Sequence, residues 1–333
     1  MSSENNIENS SEIKYKPERG SHVMPLTYGR LPYKKTLEDV DFVVAGVPFD
    51  TLTSNRAGTR KGPQAIRAAY GTGSYNVEIG VPIFDHVSGV DYGDFKTLNG
   101  FTDESFKTIT EETKKILDAG VVPIIMGGDH SITYPELIAY RDVYGPVSLI
   151  HFDSHTDTWG EEFGEEAGEK KYHNHGNPFR RAIEDGCINP KTSIQLGMRG
   201  LMGKKSTYDF VNSHGMKYVR AAELHKMGIY EAAKLIRETV GDTPAMVTFD
   251  IDFVDPSFAP GTGTPVVGGF SSWETLELLR SALIGLDIKG YDLVEVAPNY
   301  DPSNITQLLA ARIIHEFIAF IACRKADITQ YDK

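Results

Sequence analysis

The sequence predicts an α/β fold, a three-layer α/β/α sandwich around a mainly parallel central sheet. Three observations predict it. Short β-branched runs recur along the chain, they are apolar without alternation, and helical patterns lie between them. A run that does not alternate belongs to a strand covered on both faces. Strand alternating with helix implies a parallel sheet between helix layers. The expected strands are Phe42–Val47, Val121–Met126, Val147–Phe152, Ser193–Leu196, Ala245–Ile251 and Tyr291–Val296. The clearest helical patterns are Gly62–Tyr70, Phe106–Leu117, Glu136–Arg141, Asn177–Asp185, Tyr230–Val240, Trp273–Leu283 and Thr306–Ala322. In such sheets, functional groups gather at the C-terminal ends of the strands.

The 333 residues carry 34 Lys+Arg against 46 Asp+Glu, a formal charge of −12. That balance opposes binding to nucleic acid or to anionic lipid, both of which need a cationic footprint. Two cysteines, Cys187 and Cys323, do not make a disulfide framework and fit a reducing compartment. The N-terminus, MSSENNIENSSEIKYKPERG, has no apolar core and does not read as a secretory signal. A cytoplasmic location is expected. Residues 1–20 are expected to form a mobile arm and residues 21–333 a single catalytic domain. The most apolar stretch, Ile305 to Cys323, contains Gln307, Arg312, His315 and Glu316 and reads as a buried amphipathic helix.

Three expected strands end in His/Asp clusters. Gly127-Gly128-Asp129-His130-Ser131 follows the second, and Asp153-Ser154-His155-Thr156-Asp157 follows the third. Asp250-Ile251-Asp252 closes the fifth. In Asp153-x-His155-x-Asp157 the side chains recur every second residue, so they share a side if extended. Either Asp-x-Asp or Gly-Gly-Asp-His alone is ordinarily a turn or cap; all three at separate strand ends resist a purely structural account. Four carboxylates cannot share a small volume without counter-charge. Two divalent cations would neutralise them, and mixed oxygen and nitrogen donors without thiolate suit Mn²⁺, with Ni²⁺, Co²⁺ or Zn²⁺ also admissible. A metal pair can bring the pKa of water down to ~7. His151 falls on the opposite side of its strand from Asp153 and is expected behind the cluster. His22, His86, His214 and His225 are expected in loops or surface helices, and His315 packed within a helix.

The motifs GGDHS, FDSHTDT and TFDIDFVDPSFAPGTGTP resemble those of the ureohydrolase family, the arginases and agmatinases, in its agmatinase-like branch. The likeness runs from about Asp41 to about Lys325 and includes GVPFDTLTSNRAGTRKGPQAIR and DLVEVAPNYDPSNIT. It implies an arginase-like fold with a binuclear manganese centre, other divalent metals replacing manganese in some members. By resemblance, His130 and Asp157 would bind one metal, His155 and Asp252 the other, and Asp153 and Asp250 would bridge them. Glu295 matches the carboxylate that grips the guanidinium, His175 the loop histidine proposed as proton shuttle, and Thr264 a hydroxyl near the substrate. A homotrimer or homohexamer is also implied.

The implied reaction hydrolyses a guanidino compound to urea and an amine. Arginine is disfavoured, because Gly197–Met202 offers no aspartate and the Ser-Gly-Asn lead-in to the histidine loop is missing. Agmatine, giving putrescine and urea, is favoured by the branch and by the acidic loop Gly160–His175. Against it, the histidine loop and Met198-Arg199-Gly200 look closer to guanidinobutyrases. A guanidinobutyrase, or a hydrolase of another guanidino acid or guanidine, is the alternative. A metal-dependent deacetylase would use one zinc and would not need all six ligand positions. A non-catalytic partner subunit would have lost some of them.

Overall fold

A computed structural model describes residues 13–17, 26–69, 73–160, 172–201 and 205–331. The strands are β1 (Phe42–Val47), β2 (Tyr75–Asn76), β3 (Val81–Pro82), β4 (Gly89–Asp94), β5 (Val122–Gly127), β6 (Ser148–Phe152), β7 (Ile194–Met198), β8 (Lys217–Arg220), β9 (Ala245–Asp250) and β10 (Ile288–Val294). The helices are α1 (Gly62–Ala69), α2 (Ile83–His86), α3 (Thr102–Asp118), α4 (Thr133–Tyr144), α5 (Pro178–Glu184), α6 (Ser206–Ser213), α7 (Ala221–Met227), α8 (Ile229–Val240), α9 (Ser272–Leu283) and α10 (Ile305–Lys325).

Eight strands form one sheet in the order β4-β1-β5-β10-β9-β6-β7-β8, and every pairing in it is parallel. β2 and β3 make a separate antiparallel pair. Successive strand side chains point to opposite faces. Val44, Ile124, Met126 and Ile150 therefore join the core under α1, α8, α9 and α10. Val43, Ala45 and Ile125 pack with α3 residues, and Leu149 with residues of α4 and α5. Both faces are covered, which is why the sequence runs are apolar without alternation.

All six strands read from the sequence are present, within a few residues at each end. Two strands of the main sheet were not foreseen. β4 contains Gly89, Asp91, Gly93 and Asp94, and β8 reads Lys-Tyr-Val-Arg. They are the two edge strands, where apolar character on both faces is not required. The expected arm falls partly outside the described residues. Of its length, residues 13–17 are described, and Tyr15 exchanges hydrogen bonds with Ser88 and Gly89 at the β4 edge.

The contiguous strands β5, β10, β9 and β6 position the site. Being parallel neighbours, they deliver four C-terminal ends to one place. His130 follows β5, Glu295 follows β10, Asp250 and Asp252 lie at the end of β9, and Asp153 to Asp157 follow β6. The close approach depends on Gly128, whose N–H donates to the carbonyl of Val47 and whose carbonyl accepts from Glu295. A Cβ there would fall 2.2 Å from the carbonyl oxygen of Phe49.

Candidate metal and guanidinium site

The six residues expected to hold metal converge. His130 is buried, and its Nδ1 lies 2.9 Å from Asp157, 3.1 Å from Asp153 and 3.4 Å from Asp250. Despite these distances, Nδ1 has no partner of hydrogen-bonding geometry. Its Nε2 lies 2.9 Å from the Thr248 hydroxyl, which in turn bonds Asp292. With Nε2–H donating to Thr248, the Nδ1 lone pair faces the carboxylates. That is the tautomer a metal ligand needs, fixed by its outer hydrogen bond.

His155 and Asp252 form the second half. His155 Nδ1 lies 3.1 Å from Asp252 Oδ2 and 3.3 Å from Asp153 Oδ1, and these three residues make a group able to hold an ion. The His155 N–H donates to Asp153 at 2.6 Å, and the Ser154 N–H and hydroxyl both donate to Asp252 Oδ1. Asp250 receives the Asp252 N–H at 2.8 Å. The Thr264 hydroxyl reaches Asp252 Oδ2 at 3.3 Å.

His151 also lies near enough to group with His130 and Asp153. Both of its ring nitrogens are engaged, Nε2 with Asp153 at 2.8 Å and Nδ1 with the Gln195 amide at 3.0 Å. It stands behind Asp153 and orients it. Of the other histidines, His315 is buried within α10, His86 and His225 lie in short helices and His214 follows α6; His22 lies outside the described residues.

The protonation of the cluster is internally opposed. Burial and the neighbouring charges of Asp252 and Asp153 push Asp250 well above the usual carboxylate range. Burial acts to raise Asp153 too, but the imidazoles around it hold it well below that range. Burial acts to lower His130 and His155, and the surrounding carboxylates raise both well above a normal histidine. Four buried carboxylates and two imidazoles, with one lone pair aimed among three oxygens, fit a set of divalent cations and fit poorly without one.

Glu295 sits beside this cluster with φ of 64°, in the left-handed region. Asp157 has φ of 50°. Non-glycine residues in this region carry backbone strain and concentrate at functional sites. Glu295 Oε1 accepts the His130 N–H at 2.9 Å and the His175 Nδ1–H at 2.8 Å. Its Oε2 is buried and unpartnered. A narrow cleft is lined by His155, Asp157, Trp159, His175, Gly176, Asp250, Thr264 and Glu295.

The His175 loop is clamped from both sides. Its N–H donates to the Leu52 carbonyl, and the Trp159 N–H donates to the Gly176 carbonyl. The Trp159 indole lies on Gly176, where any Cβ would fall 2.6 Å from the ring. His175 Nε2 receives the Ser54 N–H at 3.0 Å. Burial acts to lower the His175 pKa, and the charge of Glu295 outweighs it, pushing it up to about 9. The Ser54 N–H opposes that protonation, since an amide donates only to an unprotonated Nε2. This hydrogen bond favours, against the pull of Glu295, the neutral ring with Nδ1–H on Glu295.

Ser54, Asp129, Trp159 and Arg199 belong to the site's surroundings and were not singled out as site residues from sequence. Asp129 accepts the Leu52 N–H and the Ser131 N–H, tying the Ser54 loop to the His130 turn. Arg199 donates to the carbonyls of Gly197, Asp252 and Val266, pinning the loop after β9. The acidic stretch expected to shape substrate choice lies outside the described residues from 161 to 171, as do residues 202–204.

Comparison with known proteins agrees with this architecture. The arginase family matches residues 40–319. The chain is 40% identical to a mitochondrial agmatinase of Gallus gallus, covering 88% of this chain and 84% of that protein. It is 39% identical to a mitochondrial guanidino acid hydrolase of Homo sapiens, covering 87% and 80%. Among solved structures, a hypothetical agmatinase from Burkholderia thailandensis superposes with a TM-score of 0.85 at 38% identity, covering 94% of this chain and 95% of that one.

Proposed function

The chain belongs to the arginase family, and on that premise we propose that it hydrolyses agmatine to putrescine and urea in the cleft beneath Glu295. One observation carries the reading. A buried carboxylate oxygen, Glu295 Oε2, stands without a partner in a cleft that also opens onto the His/Asp cluster. A guanidinium presents paired N–H donors on a planar cation, and an unsatisfied carboxylate oxygen is its natural acceptor. The His130 and His175 N–H groups hold Oε1, so Oε2 keeps a fixed direction.

His130 and Asp157 would hold one divalent cation, His155 and Asp252 the other, with Asp153 and Asp250 between them. The donor set favours Mn²⁺, with Ni²⁺ or Co²⁺ as substitutes. When bound, the cations supply the positive charge that makes water nucleophilic near neutral pH. The chain's own residues do the rest. Glu295 holds the guanidinium plane, and the Thr264 hydroxyl stands beside it. Trp159 closes one wall against bulk water. As the carbon–nitrogen bond breaks, Asp157 carries a proton from the attacking water to the departing amine. His175 serves the second proton.

Among the described residues lining the cleft there is no Arg or Lys. A guanidino acid brings a distal carboxylate that would want such a partner, whereas agmatine brings a distal ammonium. That favours the amine. Buried, unpaired Cys187 and Cys323 accord with a cytoplasmic setting, and a homotrimer or homohexamer is proposed on family likeness.

The test is a substrate panel with Mn²⁺ and separately with Ni²⁺, scoring urea from agmatine, 4-guanidinobutyrate, 3-guanidinopropionate, arginine and guanidine. Urea and putrescine from agmatine are expected. Urea from a guanidino acid alone would replace the substrate reading, and no urea from any would overturn the function. Asp153→Ala and Asp250→Ala should each abolish turnover and lower bound metal. Wild-type metal content and rate in either would remove that residue from the ligand set.

A further inference from the structure

We infer that the Ser54 hydroxyl is the proton outlet of the site, linking His175 Nε2 to solvent while the Ser54 backbone N–H resets the ring after each turnover. The inference rests on the reading of the cleft as a guanidino-hydrolase site. Ser54 Oγ lies 2.6 Å from His175 Nε2, and the Ser54 N–H donates to the same nitrogen at 3.0 Å. His175 itself is 5% exposed, whereas Ser54 is exposed. The other ring nitrogen, Nδ1, faces inward to Glu295 at 2.8 Å. The imidazole therefore spans the wall of the cleft, with one nitrogen on the guanidinium acceptor and the other on a surface hydroxyl. The charged groups acting on it are Glu295, Asp129 and Asp157.

The proton count accommodates such a route, which borrows one proton from solvent and returns it. Hydrolysis turns the oxygen of water into the urea carbonyl and sends both of its protons to nitrogen, so the amine departs as an ammonium. Asp157 carries one proton. For the other, the departing amine nitrogen takes the His175 Nδ1 proton by way of Glu295 Oε1, which faces Nδ1 at 2.8 Å, while Nε2 takes one from Ser54 Oγ and Ser54 Oγ takes one from solvent. The ring is then neutral with Nε2–H. That tautomer turns its N–H against the Ser54 amide N–H, two donors facing each other. When a fresh water in the site gives a proton to Nδ1, Nε2 returns its own through Ser54 Oγ to solvent. The cycle closes with no net change in either residue. A hydroxyl can both donate and accept, which a relay needs and an amide cannot supply. The position is held by its surroundings, because Leu52, two residues earlier, donates to Asp129 and accepts from the His175 N–H.

The experiment uses the full-length, metal-loaded protein and whichever guanidino compound of the panel it hydrolyses. Ser54→Ala keeps the backbone N–H and removes only the hydroxyl. Its kcat should fall by about tenfold or more, with KM changed less than about twofold, in keeping with a lost proton-transfer step. Ser54→Thr should restore kcat, and added imidazole should accelerate Ser54→Ala but not the wild type. Unchanged kcat in Ser54→Ala overturns the outlet. So does equal loss in the Thr and Ala variants, or a rise in KM that accounts for the loss. Independently of turnover, nitrogen NMR of isotopically labelled histidine, assigned by His175→Asn, should show His175 protonated at Nδ1 and bare at Nε2. An Nε2–H ring in the resting protein overturns the inference even if no panel compound is hydrolysed, so its failure is separable from that of the substrate reading.

Discussion

Glu295 is the residue on which substrate recognition turns, and its two oxygens are not equivalent. Oε1 is saturated by two N–H donors and Oε2 by none. In Glu295→Gln, the amide oxygen would keep the His130 and His175 donors, and the NH₂ would then face the cleft. Donor would meet donor where a guanidinium binds. The expected loss in kcat/KM is about 10²–10³-fold, the order set by a charge-assisted hydrogen bond plus a repelled partner. Metal content should stay at the wild-type level, because Glu295 lies outside the six-residue cluster. Steady-state kinetics beside metal analysis decides it, and a rate within tenfold of wild type would remove Glu295 from guanidinium binding. At this scale, legibility in the sequence followed sequence distance. Asp153, His155 and Asp157 are spaced two apart, so their convergence is visible in the motif. The His175 contacts with Ser54 and Glu295 span 121 and 120 positions. No local spacing encodes them, and only family likeness pointed to His175 and Glu295. Ser54 sits inside a segment quoted for that likeness, yet nothing in the sequence marks its hydroxyl as facing an imidazole.

Among the elements, α10 departs most from its expected character. A buried amphipathic helix was expected; the burial holds, but it runs nearly all round, with Leu309, Ile314, Ile318 and Ala319 buried on different faces. It is long and apolar enough to span a membrane, yet 83% of its most apolar window is buried inside the protein. Its polar residues are absorbed by neighbours, Glu316 pairing with Arg280 and Arg312. His315 is the exception in charge. Burial, aided by Arg312, lowers its pKa to about 4. An unfolded histidine titrates near ~6.5. The unfolded chain therefore binds the extra proton first, and stability is lost as pH falls from the unfolded value towards the folded one. His315→Gln removes that titration. Relative to it, the wild type should be constant above about pH 7 and lose up to about 3 kcal/mol by pH 4. Urea unfolding of both proteins across that range measures it. The cluster carboxylates titrate in both proteins and cancel in the difference, so parallel curves would show that His315 is not held neutral by the fold. Sequence reading at this scale worked for apolar strands covered on both faces and failed for β8, whose exposure admits Lys and Arg, and for β4, whose buried Asp91 is admitted by its ion pair with Arg67.

The whole molecule carries its −12 unevenly, since Asp153, Asp157, Asp250 and Asp252 are all buried at one end of the sheet. Part of the acidity visible in the composition is thus a cation site rather than a solvated surface. Folding brings these four carboxylates together, and the unfolded chain does not. Cations that bind the assembled cluster bind the folded state alone and stabilise it by mass action, by about 3 kcal/mol at a hundredfold excess over Kd. Chelation should therefore lower the thermal midpoint by several degrees, and readdition of Mn²⁺ should restore it. Asp153→Ala supplies the control. With one of the four carboxylates gone, the variant should lose most of the chelator-dependent shift while keeping a measurable midpoint of its own. A wild-type midpoint insensitive to chelation would mean that the cluster is stable without cations, by sharing protons among its carboxylates and imidazoles. A shift of equal size in Asp153→Ala would mean that the stabilising ion sits elsewhere. Calorimetry of the two proteins, with and without chelator, separates the three outcomes because only cations bound at the cluster make the shift depend on Asp153.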